Sequence, residues 1–157
     1  MQNNRHDMIK ILFVCHGNIC RSPMAEFVMK ELVHKAGAAE DFYIESAATS
    51  SEELGNGVYP PVKSLLKAHG IDCSQKTARR ITVEDYRKFD LIIGMDNANM
   101  RNMRNFWGGD PDDKLRMLLS YCGSSREVAD PWYTGEFETT WHDVLAGCTK
   151  LLEACGY

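Results

Sequence analysis

Cys15 and Arg21 stand six positions apart, with five residues between them, in the run Val14-Cys15-His16-Gly17-Asn18-Ile19-Cys20-Arg21-Ser22-Pro23. A thiol is nucleophilic as its thiolate, the form that backbone N–H donors and nearby cations favour. A guanidinium presents planar, paired donors that fit two oxygens of a phosphoryl group. Phosphoryl transfer spreads charge over equatorial oxygens, so positioned donors around an attacking thiolate are the apparatus it needs, and the pattern calls for no metal. Gly17 and Asn18 fall where a chain linking the two groups must turn sharply, and the N–H groups from His16 to Ser22 are the natural donors.

Such a loop needs elements to hold it. Lys10 to Val14 is a nearly continuous apolar run, as in a strand buried on both faces. Ser22-Pro23 has the pattern of an N-cap followed by the first helical residue. A strand-to-helix turn aims unpaired amides and the positive end of a helix dipole at one point, where oxyanions settle.

Downstream, Met24, Phe27, Val28, Leu32 and Ala36 recur at helical spacing before Gly37, which predicts a first helix over 23–36. A second strand follows over 42–47, left by the small polar run Ser46 to Ser50. A Gly/Pro-rich loop at 52–61 leads to a helix over 62–69. One or two helical turns over 82–89, a third strand at 90–95, a helix over 97–106, a short apolar strand at 115–119, a loop over 124–135 and a helix over 139–155 complete the chain. Alternating strands and helices predict a single α/β domain over 1–157, a doubly wound parallel sheet of about four strands with its site at the strand carboxyl ends. Residues 1–7 are polar and aperiodic, as in a frayed end. Met100, Met103 and Trp107 read as packing residues.

Bulk properties narrow the function. A chain of 157 residues buries enough surface to fold without disulfides or metal. A net charge of -4 and no basic block argue against a nucleic-acid partner. No signal peptide or membrane-length apolar run is evident, so a cytoplasmic protein without membrane insertion is expected. The six cysteines show no paired ligand spacing. Cys73, Cys122, Cys148 and Cys155 read as structural thiols and Cys20 as a small buried residue.

The segment VCHGNICRSPMAE resembles the signature of the low-molecular-weight protein tyrosine phosphatases, and SAATS at 46–50, GMD at 94–96 and DPW at 130–132 extend the resemblance over nearly the whole chain. From the dipeptide alone, Asp130-Pro131 is an ordinary turn. The resemblance implies instead that Asp130 is the general acid and then the base, with Cys15 as nucleophile and Arg21 as phosphate clamp, and that no cofactor is needed. His16, Gly17, Asn18, Ile19, Cys20 and Ser22 then surround the phosphate, Ser22 also serves the sulfur, and Trp132 and Tyr133 supply aromatic walls. Asn18 would brace the loop against Ser46. For Cys20 the resemblance implies a redox thiol that captures oxidised Cys15; both readings of it stand.

Three positions depart from the family pattern. Trp132 replaces a usual tyrosine, Ser51 to Glu53 replace a common aromatic, and Lys76 begins a motif that often starts with histidine. Ile19 stands where the arginine-phosphatase branch has threonine, which favours an aryl phosphate. The implied partners are phosphotyrosine-containing proteins, among them a bacterial tyrosine kinase, acted on by a stand-alone enzyme. Arsenate reductase, a rival on the same fold, needs a relay of two further cysteines, and none lies between Cys73 and Cys122. A silent phosphotyrosine-binding or redox-sensing module is the rival from another class.

Overall fold

Ile11, Leu12, Phe13 and Val14 are completely buried because β1 (Ile9–Cys15) runs through the interior of the sheet with a core on each face. The computed structural model describes residues 8–157; the expected frayed segment 1–7 lies outside the described residues. Four parallel strands are ordered β2-β1-β3-β4, with β2 at Phe42–Ala48, β3 at Leu91–Gly94 and β4 at Leu115–Met117. The register sets Phe13 beside Ser46 and Ile93, and Val14 beside Ala47 and Gly94.

Alternation along β1 divides the interior. Ile11 and Phe13 enter the larger core, under α1 (Arg21–Lys35) and α6 (Phe137–Ala154), with Met24, Val28, Val144, Cys148 and Leu151. Leu12 and Val14 enter the smaller core with Phe89, Ile92, Met103 and Leu115, beneath α3 (Val83–Lys88) and α4 (Asn97–Trp107). Met100 and Trp107 pack against that core, which accounts for their helical spacing. The remaining helices are α2 (Pro60–Ala68) and the single turn α5 (Pro131–Thr134). Gly147 lets α6 close on the turn after β4, where a Cβ would meet Leu118 Cγ at 2.5 Å.

The single-domain doubly wound sheet agrees with the sequence reading, and four details differ. β4 ends at Met117 and the chain tightens into a 3-10 turn over Leu118–Cys122. α5 interrupts the expected loop at 124–135, because Asp130 caps it and Pro131 fits its first position. Cys122 is exposed, so it is not a buried structural thiol. α1 starts at Arg21 with Cys20 as N-cap and no side-chain cap, so Ser22 is already helical. Its hydroxyl, free of capping duty, is turned to the sulfur of Cys15 instead.

Candidate active site

β1 lies between β2 and β3, so the loop after Cys15 opens at the switch point of the sheet, where α/β folds leave a crevice. Asn18 makes the turn there with a left-handed backbone, φ 60°, a conformation that asparagine tolerates. Its side chain then holds the loop from inside. Nδ2 donates to Ser22 Oγ at 2.8 Å and to Ser46 Oγ at 2.9 Å, while Oδ1 accepts from the Arg79 N–H at 3.1 Å. Because Ser22 Oγ accepts from Asn18, its own proton is available to Cys15 Sγ, 2.9 Å away. The Ser22 N–H also points at that sulfur, at 3.4 Å.

Beneath this chain lies Glu26, 4% exposed. It accepts from Ser46 Oγ at 2.5 Å and from Lys30 at 2.6 Å, with Lys76 Nζ at 3.6 Å. Lys76 also donates to the Ser46 carbonyl at 2.8 Å, so the lysine that departs from the family motif still supports β2 under the loop. Burial lowers its pKa, against the pull of Glu26.

Arg21 is 2% exposed. Its Nη1 donates to Asp96 Oδ2 at 2.8 Å and to the Val128 carbonyl at 2.9 Å, and Nη2 reaches Asp130 Oδ2 at 3.4 Å. Burial works against its charge, yet Cys15, Asp130 and Asp96 outweigh burial and raise its pKa above the ordinary arginine value. Asp130 is held from the other side, its Oδ1 accepting from the Trp132 N–H at 3.1 Å. Cys20 faces the same charges without a guanidinium bond. Burial first, then Cys15 and Asp130, push its thiol up to about 12.

Together these groups enclose a cleft of about 100 Å³ lined by Cys15, Arg21 and Ile19 with Asp130 and Trp132 above them. That is small beside a drug-sized pocket and suits a phosphoryl group on a slim stem. Trp132 leans on Tyr59, ring centroids 4.7 Å apart. Tyr133 edges the mouth and is 82% exposed, so it is a rim residue more than a wall. His16 also sits at the rim, with Nε2 3.1 Å from Glu52. Among the described residues no group of three or more His, Cys, Asp and Glu side chains is arranged to hold a metal ion.

The candidate site residues from the sequence thus line one cleft or support its loop. Those it missed are Asp96, Glu26, Tyr59 and the Val128 carbonyl. Glu26 had left a faint signal, a carboxylate between the apolar residues Ala25 and Phe27. Asp96 had one only as part of the GMD match at 94–96, which gave it no role, and the Val128 carbonyl had none, since each meets Arg21 only through the fold.

A doubly wound sheet with an oxyanion cradle after its first strand defines an α/β protein built to handle a tetrahedral anion. The profile of the family "Low molecular weight phosphotyrosine protein phosphatase" matches residues 10–156. The Bacillus subtilis low molecular weight protein-tyrosine-phosphatase YfkJ is 37% identical over 92% of this chain and 94% of its own. Its crystal structure superposes with a TM-score of 0.92 over 96% of each chain. The human low molecular weight phosphotyrosine protein phosphatase is 39% identical over 91% of this chain and 93% of its own. A Drosophila arginine phosphatase structure matches with a TM-score of 0.85 at 33% identity, over 95% of this chain and 99% of that one. The chain belongs to the low molecular weight phosphotyrosine protein phosphatase family. No described helix is long and apolar enough to cross a membrane.

Proposed function

We propose that this protein hydrolyses phosphotyrosine in proteins through a cysteinyl-phosphate, without metal or cofactor. The observation that carries the reading is the pair of donors converging on one sulfur, the Ser22 hydroxyl and the Ser22 N–H, in a cleft that the Arg21 guanidinium also lines. The Cys15 thiolate attacks phosphorus in line, the P–O bond to the phenol breaks, and the proton of Asp130 passes to the departing oxygen. Water then attacks phosphorus, the P–S bond breaks, and Asp130 takes the water's proton. Ser22 donates to the thiolate as it leaves, and Arg21 with the loop amides holds the equatorial oxygens. An incoming phosphoryl group competes with Asp130 for Arg21 Nη2, and the present 3.4 Å contact is long enough to exchange.

An aryl ester fits the cleft better than an alkyl one. Ile19 and Trp132 make apolar walls, and a phosphoserine stem is too short to bring its phosphate to the floor. The substrates are cytoplasmic phosphotyrosine proteins, among them a bacterial tyrosine kinase. Cys20 serves as the resolving thiol when a peroxide oxidises Cys15 to a sulfenic acid; the two condense to a disulfide with loss of water.

Initial rates on a phosphotyrosine peptide, with phosphoserine and phosphoarginine controls and EDTA present, test the reading. Phosphotyrosine is hydrolysed fastest, Cys15→Ser abolishes turnover, and Asp130→Ala lowers it by about 10²–10⁴. Faster turnover of phosphoarginine would move the assignment to the activity named for the Drosophila relative. Tight binding of phosphotyrosine with no turnover would make the cleft a receptor.

A further inference from the structure

The mouth of the cleft has two unlike sides. On one stand Trp132 and Tyr133, 51% and 82% exposed. The other is the segment after β2, which brings Glu52 and Glu53 to the cleft and leaves Leu54 53% exposed. This segment is tied down at both ends. The Thr49 N–H donates to the Cys15 carbonyl at 3.0 Å, and the Ser50 N–H and hydroxyl both donate to the His16 carbonyl, at 3.1 and 2.9 Å. Farther along, the Gly55 N–H donates to Ala78 O at 3.0 Å and the Ala78 N–H to Asn56 O at 2.8 Å.

The carboxylates are held as well. Glu52 meets His16 at 3.1 Å, Glu53 accepts from Asn56 Nδ2 at 2.8 Å, and Glu53 Cγ lies against Gly17, 3.3 Å from where a Cβ would be. A ligand met here finds its charges already in place, so little ordering is lost on binding.

The ligand's own position is fixed independently by Arg21 and Cys15 at the floor. Arg21 and the loop amides answer the phosphate, and Arg21 is further committed to Asp96 and Asp130. Around the mouth that leaves Glu52 and Glu53 beside the His16 imidazole and the exposed apolar surfaces of Leu54 and Trp132. A chain whose phosphotyrosine reaches the floor must lay its adjoining residues on this rim.

We propose that Glu52 and Glu53 select phosphotyrosine segments carrying a lysine or arginine next to the phosphotyrosine, with apolar flanking residues resting on Leu54 and Trp132. This rests on the phosphotyrosine reading above and names the substrate class. Both carboxylates are solvent-accessible, so the preference is moderate and screened by salt.

The test compares three peptides that differ only beside the phosphotyrosine, with lysine, alanine or glutamate there, at low and high salt. For the wild type, kcat/KM for the lysine peptide exceeds that for the glutamate peptide by roughly tenfold at low salt, and the ratio shrinks at high salt. In the Glu52→Gln/Glu53→Gln double variant the ratio falls toward one, and in Glu52→Lys/Glu53→Lys it inverts. A wild-type ratio near one, or one indifferent to both double variants, overturns the proposal. If no phosphotyrosine peptide is turned over, the phosphatase reading fails instead. The same ratio is then read from peptide affinities for the Cys15→Ser protein, where equal affinities, or none, overturn the rim assignment.

Discussion

Asp96 divides its two oxygens between the ligand site and the fold. Oδ1 accepts from the Asn99 N–H at 2.7 Å and caps α4, while Oδ2 takes Arg21 Nη1 at 2.8 Å, the arginine side chain being 3% exposed and the aspartate 19%. Asp96→Asn keeps an oxygen for the cap but turns an amide NH₂ toward the guanidinium. A hydrogen bond to a buried charge contributes about 1.5–3 kcal/mol. If that orientation of Arg21 is realised in phosphoryl transfer, kcat/KM for a phosphotyrosine peptide falls by about 10- to 150-fold, at 1.36 kcal/mol for each factor of ten. Inorganic phosphate also inhibits less well. Asp96→Ala loses the same activity and a further ~1 kcal/mol of stability with the cap. Steady-state kinetics with thermal unfolding separates the two contributions. An Asp96→Asn enzyme within twofold of wild type would refute the idea that this carboxylate aims Arg21.

Three further outcomes follow from the geometry. With its thiol pushed up to about 12, Cys20 stays protonated near neutral pH; iodoacetamide at about pH 7 therefore labels Cys15 and the exposed Cys122, and mass mapping that finds Cys20 labelled as fast as Cys15 contradicts this. Burial is the largest single influence on the Asp110 carboxyl and raises its pKa, but the hydrogen bonds it accepts from Tyr86 Oη, the Lys114 N–H and the Leu115 N–H together outweigh burial and hold it below the ordinary aspartate value. A folded pKa below the unfolded one means its stabilisation is whole above about pH 4 and lost as pH falls through the folded value; Asp110→Asn thus costs about 1 kcal/mol at neutral pH, and a gap that persists in strong acid contradicts the assignment. Gly147→Ala forces a methyl to within 2.5 Å of Leu118 Cγ, and chemical denaturation should show a loss of about 1–3 kcal/mol, an unchanged midpoint counting against the tight α6 contact.

The sheet was legible because β1 holds an unbroken apolar run from Ile11 to Val14, and a strand buried on both faces needs no alternation for recognition. The cradle was legible because its residues are contiguous. The start of α1 was misread by two residues, since Ser22 has the chemistry of a cap but spends its hydroxyl on Cys15. Cys122 was misread because residue type speaks for burial while the 3-10 turn after β4 turns this thiol outward. Tyr59 and the Val128 carbonyl could not be read at all, and Asp96 was visible only within the GMD match, without its partner. Asp96 is 75 residues from Arg21 and Val128 107, so only the closed fold reveals what orients the guanidinium. Lys76 was visible as a departure, but its bond to the Ser46 carbonyl depends on the depth of β2 under the loop.

The central claim is a covalent bond between phosphorus and the sulfur of Cys15. Rapid acid quench of the Asp130→Ala protein during turnover of an activated aryl phosphate tests it directly, because loss of the base slows breakdown of the intermediate while a good leaving group still allows its formation. The account predicts phosphate on Cys15 in peptide mass maps, with a burst of phenol matching the enzyme concentration. Turnover with no phosphate on Cys15 at any quench time, or phosphate mapped to another residue, would contradict it.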